Sequence, residues 1–179
     1  MILNKINNSL NGPQVGPFYV IIKRNLLAIS HTHDIRCNII RPGYTFGNPV
    51  VEGSYIQPDS RFRDIVKQAK NNEPINITKN DGTQFIWAGD LAKLYSSLLT
   101  SNLNRRIFMG LGTEFVTWEE VARYAIQYTG SNSSINLEDK GWIKGEYLFD
   151  VSAMEEEFGY KFDSFEKIKE HVKYIANSD

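Results

Sequence analysis

The chain has 179 residues, 41% of them apolar and 23% charged, with a formal net charge of −1. That make-up is ordinary for a globular protein, and a chain of this size can bury a sizeable core. Near-neutral charge leaves no electrostatic footprint for nucleic acid or a membrane surface, and no apolar run approaches the ~20 residues that span a bilayer.

In chain order, residues 1–16 are polar and carry Gly12-Pro13 and Gly16-Pro17, so they read as an irregular lead. A helix is expected over 18–31 and a strand over 35–40, with Cys37 as a buried, inert thiol. As the single cysteine it excludes an internal disulfide. Residues 41–59 form a loop rich in Gly and Pro, and loops of that length inside a compact domain tend to be functional. Helix 60–71 precedes short strands near 75–78 and 84–88, which flank an Asp81-Gly82 turn signal. Asp90 is placed to cap helix 90–100. Strand 105–109 leads to helix 117–129, whose start carries the capping-box pattern Thr117 with Glu120. Strand 134–138 precedes a loop holding Trp142 and Gly145, and Ser152 with Glu155 repeats the capping-box pattern for helix 152–158. Asp163 or Ser164 caps a final helix to about 176. Strands alternating with helices call for an α/β fold with a parallel or mixed sheet. The N-terminus lacks the long apolar stretch of a signal peptide, so a cytoplasmic location is expected.

The segment that carries chemistry is Tyr19-Val20-Ile21-Ile22-Lys23. Residues four apart share a helix face, and an ammonium beside a phenol favours the phenolate. Tyr19 is therefore a candidate acid/base at neutral pH, with Lys23 as its activator. Arg41-Pro42-Gly43-Tyr44-Thr45 follows, leaving an apolar strand as a loop, where open α/β sheets place their ligands. His31, His33 and Asp34 do not read as a metal site, because residues two apart do not share a helix face. Trp87, Trp118 and Trp142 lack the basic interleaving of a base-stacking surface and read as core.

The order active-site helix, strand, Arg-Pro and glycine loop resembles the extended short-chain dehydrogenase/reductases. More narrowly, it resembles the NAD-dependent epimerase/dehydratase branch. Phe85-Ile86-Trp87-Ala88-Gly89-Asp90, Arg106-Ile107-Phe108-Met109-Gly110 and Asp150-Val151-Ser152-Ala153-Met154 continue the likeness, so it covers nearly all of residues 17–177. The resemblance implies a partial Rossmann-like parallel sheet with helices and a small C-terminal substrate-binding lobe, in one domain over 17–179. It implies Tyr19 and Lys23 as catalytic residues that also hold an NAD or NADP cofactor, with Pro42, Gly43, Tyr44 and Thr45 lining its crevice. Tyr44, Arg61, Arg63 and Gln84 are the candidate substrate contacts. A homodimer is implied as well.

Two departures qualify the implied function. The chain has no G-x-x-G-x-x-G turn to receive a dinucleotide pyrophosphate, so it reads as the C-terminal portion of such an enzyme, with a missing N-terminal half expected as its partner. Where sugar-nucleotide enzymes of this family commonly carry Asn and Arg, the chain has Tyr44 and, near the second place, Thr83 and Gln84. Three readings stay open: epimerase/dehydratase chemistry on a sugar nucleotide or related carbonyl or hydroxyl compound, a noncatalytic or truncated half, and reduction of a small carbonyl compound.

Overall fold

The computed structural model describes residues 16–51 and 60–178, with side chains for 24–51 and 60–178. The chain divides into two compact units, Met1–Ile39 with Ser101–Ile107, and Ile40–Thr100 with Phe108–Asp179. The expected irregular lead at 1–16 lies outside the described residues except for Gly16, which begins the first helix.

In the first unit, helix α1 spans Gly16–Thr32, and strand β1 begins at Ile39 and runs to Pro42. The strand expected over 35–40 starts late for a local reason. The Cys37 N–H donates to Asn104 Oδ1 at 3.0 Å, and Asn38 Nδ2 donates to the Leu103 carbonyl at 2.8 Å. Side-chain amides thus take hydrogen bonds that a ladder would otherwise make. Cys37 is half-buried rather than buried, because it lies in this irregular stretch ahead of the strand.

The second unit holds β2 (Thr45–Phe46), α2 (Arg61–Lys70), β3 (Ile75–Thr78), β4 (Gly82–Thr83), β5 (Ile86–Trp87) and α3 (Ala88–Thr100). It continues from β6 (Ile107–Gly110) through β7 (Val116–Thr117), α4 (Trp118–Thr129), β8 (Ile135–Glu138), α5 (Ser152–Phe158) and α6 (Ser164–Asn177). Among the described residues the strands join in pairs: β1 with β6, β2 with β5, β3 with β8 and β4 with β7. β2–β5 and β3–β8 are parallel, and β4–β7 is antiparallel. This is an α/β fold of Rossmann-like character.

Its core follows helical arithmetic. α2 buries Phe62, Ile65, Val66 and Ala69, and α4 buries Trp118, Val121, Ala122 and Ala125, both at the i, i+3, i+4, i+7 spacing of one face. α6 adds Ile168 and Val172, and the three helices pack on one another. Phe46, Ile75 and Ile77 from the strands, with Phe85 from the link between β4 and β5, add to the cluster. Each large side chain buried here contributes about 1.5–3 kcal/mol.

The caps divide by what surrounds them. The Thr117 hydroxyl accepts from the Glu120 N–H at 3.1 Å while Glu120 Oε2 accepts from the Thr117 N–H at 2.8 Å, completing the expected capping box. Asp163 Oδ1 accepts from the Phe165 N–H at 3.0 Å and caps α6. Ser152 caps nothing: it is the first helical residue, and its N–H donates to Asp150 Oδ1 at 2.9 Å. Asp90 lies in the first turn of α3, not at its cap, because the helix already begins at Ala88. Gly82 does not turn β3 back on itself. It pairs with Thr117, thirty-five residues on, while the Asp81 N–H closes the local turn on the Thr78 carbonyl at 3.1 Å.

Candidate functional site

Tyr19 and Lys23 lie within α1, whose seventeen residues make one continuous helix, so their positions fall on one face a turn apart. Their side chains lie outside the described residues.

The loop after β1 belongs to the second unit. The Gly43 N–H donates to the Gly110 carbonyl at 3.2 Å, and the Thr45 hydroxyl donates to the Gly43 carbonyl at 3.2 Å. A Cβ at Gly43 would fall on the Leu111 side chain, with the Gln84 carbonyl 3.4 Å away. A side chain here would require Leu111 to shift. Pro42 and Gly43 are exposed and Thr45 is half-buried. The Tyr44 backbone accepts from the Ile86 N–H at 3.0 Å, which joins β2 to β5. Its ring meets Phe85 at 5.0 Å, Trp118 at 5.5 Å and Phe62 at 6.1 Å between centroids, each edge to face. Edge-to-face contacts of this kind are worth about 0.5–1.5 kcal/mol beyond the area buried. Tyr44 thereby joins the loop to the core.

The structure brings Arg61 and Tyr44 together on Trp118. The Arg61 guanidinium lies 4.7 Å from the Trp118 ring centroid and 3.4 Å from Asp81 Oδ2. The Trp118 N–H donates to the Asp81 carbonyl at 2.9 Å, so one turn holds both the indole and the carboxylate that steer this cation. Nothing in the sequence linked Asp81 to Trp118, because the contact is made through the β4–β7 pair. Arg63 is exposed, two residues along α2, and side chains two apart on a helix do not face each other.

Gln84 occupies a different environment. It is 4% exposed. Its Nε2 donates to the Gly112 carbonyl at 3.1 Å and the Phe149 carbonyl at 3.2 Å, and its Oε1 accepts from the Phe149 N–H at 2.7 Å. These bonds anchor one end of the strap 139–149. Three more contacts hold it: Lys79 Nζ to Asp139 at 2.9 Å, Asn80 Nδ2 to the Trp142 carbonyl at 2.6 Å, and Lys144 Nζ to Glu120 at 2.8 Å. Burial pushes the Glu120 pKa up, but hydrogen bonds from Lys144 and Thr117 outweigh it and leave the carboxyl below its ordinary value. Trp142, expected in the core, is 49% exposed, because the strap presents it outward.

No protein-family model matches the chain, and no curated protein matches it by sequence. Solved structures do. WbmF of Bordetella bronchiseptica, in complex with NAD+ and UDP, aligns over 92% of this chain and 53% of its own at a TM-score of 0.71 and 12% identity. The UDP-N-acetylglucosamine 4-epimerase of Methanobrevibacter ruminantium aligns over 88% and 51% at 0.65 and 18% identity. RMD from Pseudomonas aeruginosa, complexed with NADPH, aligns over 86% and 51% at 0.63 and 14% identity. The fold is therefore that of the NAD-dependent epimerase/dehydratases of the extended short-chain dehydrogenase/reductase type. The chain spans about half the length of each solved chain.

Proposed function

We propose that this chain is the half of an NAD(P)-dependent epimerase/dehydratase-type oxidoreductase that carries the active-site helix and the substrate lobe. It acts on a sugar nucleotide or a related carbonyl or hydroxyl compound together with a nucleotide-binding half. The observation that carries the reading is the order α1, β1 and glycine loop, with Tyr19 and Lys23 a turn apart on α1, inside this fold.

The positions of Tyr19 and Lys23, a turn apart on α1, support a role at the nicotinamide-ribose end of a dinucleotide, and Gly43 after β1 is exposed. The chain offers no glycine-rich turn for the pyrophosphate. The cofactor, when bound, supplies hydride chemistry. Tyr19 moves the proton at the substrate oxygen, and Lys23 holds the phenol near its anionic form and reaches the ribose hydroxyls. Pro42, Gly43, Tyr44 and Thr45 line the cofactor side. Arg61 and Arg63 supply positive charge for a substrate phosphate, with Tyr44 and Gln84 shaping the adjoining wall. The chain works as a homodimer.

One observation favours reduction of a smaller carbonyl compound as the second reading. At Thr83-Gln84 there is no cation for a phosphate, and the Gln84 amide is taken up by backbone. Titration of the full chain with NADH and NADPH, following nicotinamide fluorescence, tests both readings. Saturable binding that weakens at least tenfold in Lys23→Ala supports the site. No binding at millimolar cofactor, alone and with a candidate N-terminal half added, sinks it. Turnover of a UDP-sugar against a small aldehyde then separates the two substrates.

A further inference from the structure

His171 on α6 is 2% exposed. Its ring lies 5.0 Å from Phe62, 5.6 Å from Phe46 and 6.4 Å from Trp87 between centroids. Nδ1 donates to Asn48 Oδ1 at 2.7 Å, which leaves Nε2 as the bare acceptor of a neutral imidazole. That Nε2 is buried and has no hydrogen-bond partner among the described residues. Asn48 stands in the loop that leaves β2. Beyond it the loop turns to solvent, with Val50 98% and Val51 66% exposed.

We propose that the Asn48–His171 hydrogen bond is a proton-sensitive latch. It holds the loop leaving β2 against α6 while the imidazole is neutral, and releases it when the ring takes a proton. A proton on Nε2 would place a charge and a bare donor among Phe46, Phe62 and Trp87, and an uncompensated buried charge is expensive. The ring can relieve that only by reaching water, and it takes its bond to Asn48 with it.

The surrounding charges do not change this. The loop 47–51 carries none. α2 bears Arg61, Arg63, Asp64, Lys67 and Lys70, all exposed, with Lys70 Nζ donating to the Ala176 carbonyl of α6 at 3.0 Å. The start of α3 bears Asp90, which is tied to Lys93 and to Lys167 of α6. α4 bears Glu119, Glu120 and Arg123, which pair with one another or with Lys144. Lys169 and Glu170 of α6 pair with their own helix neighbours. None of these groups acts on the imidazole, whose pKa is held at about 4 by burial alone. The latch is independent of the proposed catalytic role.

NMR of the full chain between pH 7 and pH 3 tests it, following the His171 ring carbon and the backbone amides of 47–51, with Trp87 emission and helical circular dichroism alongside. The expected result is a His171 midpoint near 4, loop amides and Trp87 emission that move with it, and circular dichroism that holds through the transition. Asn48→Asp sets a carboxylate against Nδ1 and raises the midpoint by about one pH unit or more. Loop amides that stay still through the His171 titration overturn the latch. So does loss of helix with the same midpoint, which would be global unfolding rather than local release.

Discussion

Replacing Gln84 with leucine keeps the side chain's bulk and deletes its three hydrogen bonds to Gly112 and Phe149. At about 1 kcal/mol net for each bond the loss is ~3 kcal/mol. Phe149 is 58% exposed, so its N–H and carbonyl can turn to water, whereas Gly112 is buried. The expected loss is therefore about 2–3 kcal/mol. With a urea slope of ~2 kcal/mol/M this moves the midpoint down by roughly 1 M. Gln84→Glu should cost at least as much, because a carboxylate would face two carbonyl oxygens with nothing to donate. Hydrogen exchange of the strap amides 141–149 should quicken in both variants, since one of its anchors is gone. A urea midpoint within about 0.3 M of the parent in both variants, with unchanged strap exchange, would refute the reasoning. Gln84 would then be free to serve substrate alone.

Other outcomes follow from the same packing. Thr117→Ala removes the hydroxyl that accepts from Glu120 and should cost about 1 kcal/mol by urea denaturation, with no change in the pairing of β3 and β8. Gly82→Ala drives a methyl onto the Val116 carbonyl and to 2.7 Å from the Thr117 Cα, so it should cost about 1–3 kcal/mol and part β4 from β7, read as lost amide protection at Thr83 and Val116. Glu120 has a folded-state pKa below its unfolded one, so its contribution is fully present above the unfolded pKa, ordinarily about 4.3, and is lost as pH falls through the folded value. Glu120→Gln should flatten the fall in thermal midpoint over that acidic window, and an unchanged slope would remove Glu120 as its source.

Local signals in the sequence were readable, and long-range ones were not. Thr117 with Glu120, and Asp163 before α6, needed only their own helix and formed as expected. Ser152 with Glu155 has the same spacing, yet Asp150 captured the Ser152 N–H and the box did not form. The helices expected over 60–71 and 117–129 formed as α2 and α4, each of which buries one face. Gln84 was a candidate substrate contact because it lies near the place where the resembling sugar-nucleotide enzymes commonly carry Arg. Its backbone partners lie 28 and 65 residues away, and no local pattern announces them. His171 is similar: its bond to Asn48 spans 123 residues, so only the fold brings the two together. For Tyr19 and Lys23 the four-residue spacing on a continuous helix was legible from the outset.

The parallel pairing of β3 with β8 sets Ile75 beside Ile135 and Ile77 beside Leu137, sixty residues apart in the chain. During synthesis β3 leaves the ribosome well before its mate exists. At ~5–20 residues per second the wait is about 3–12 seconds. Through that interval Ile75 and Ile77, buried in the finished core, have no strand to pair with. Closing so long a loop also precedes any reward from the contacts it brings, which slows folding. Nascent chains stalled before residue 135 should therefore recruit holdase chaperones, and chains stalled well beyond α6 should not.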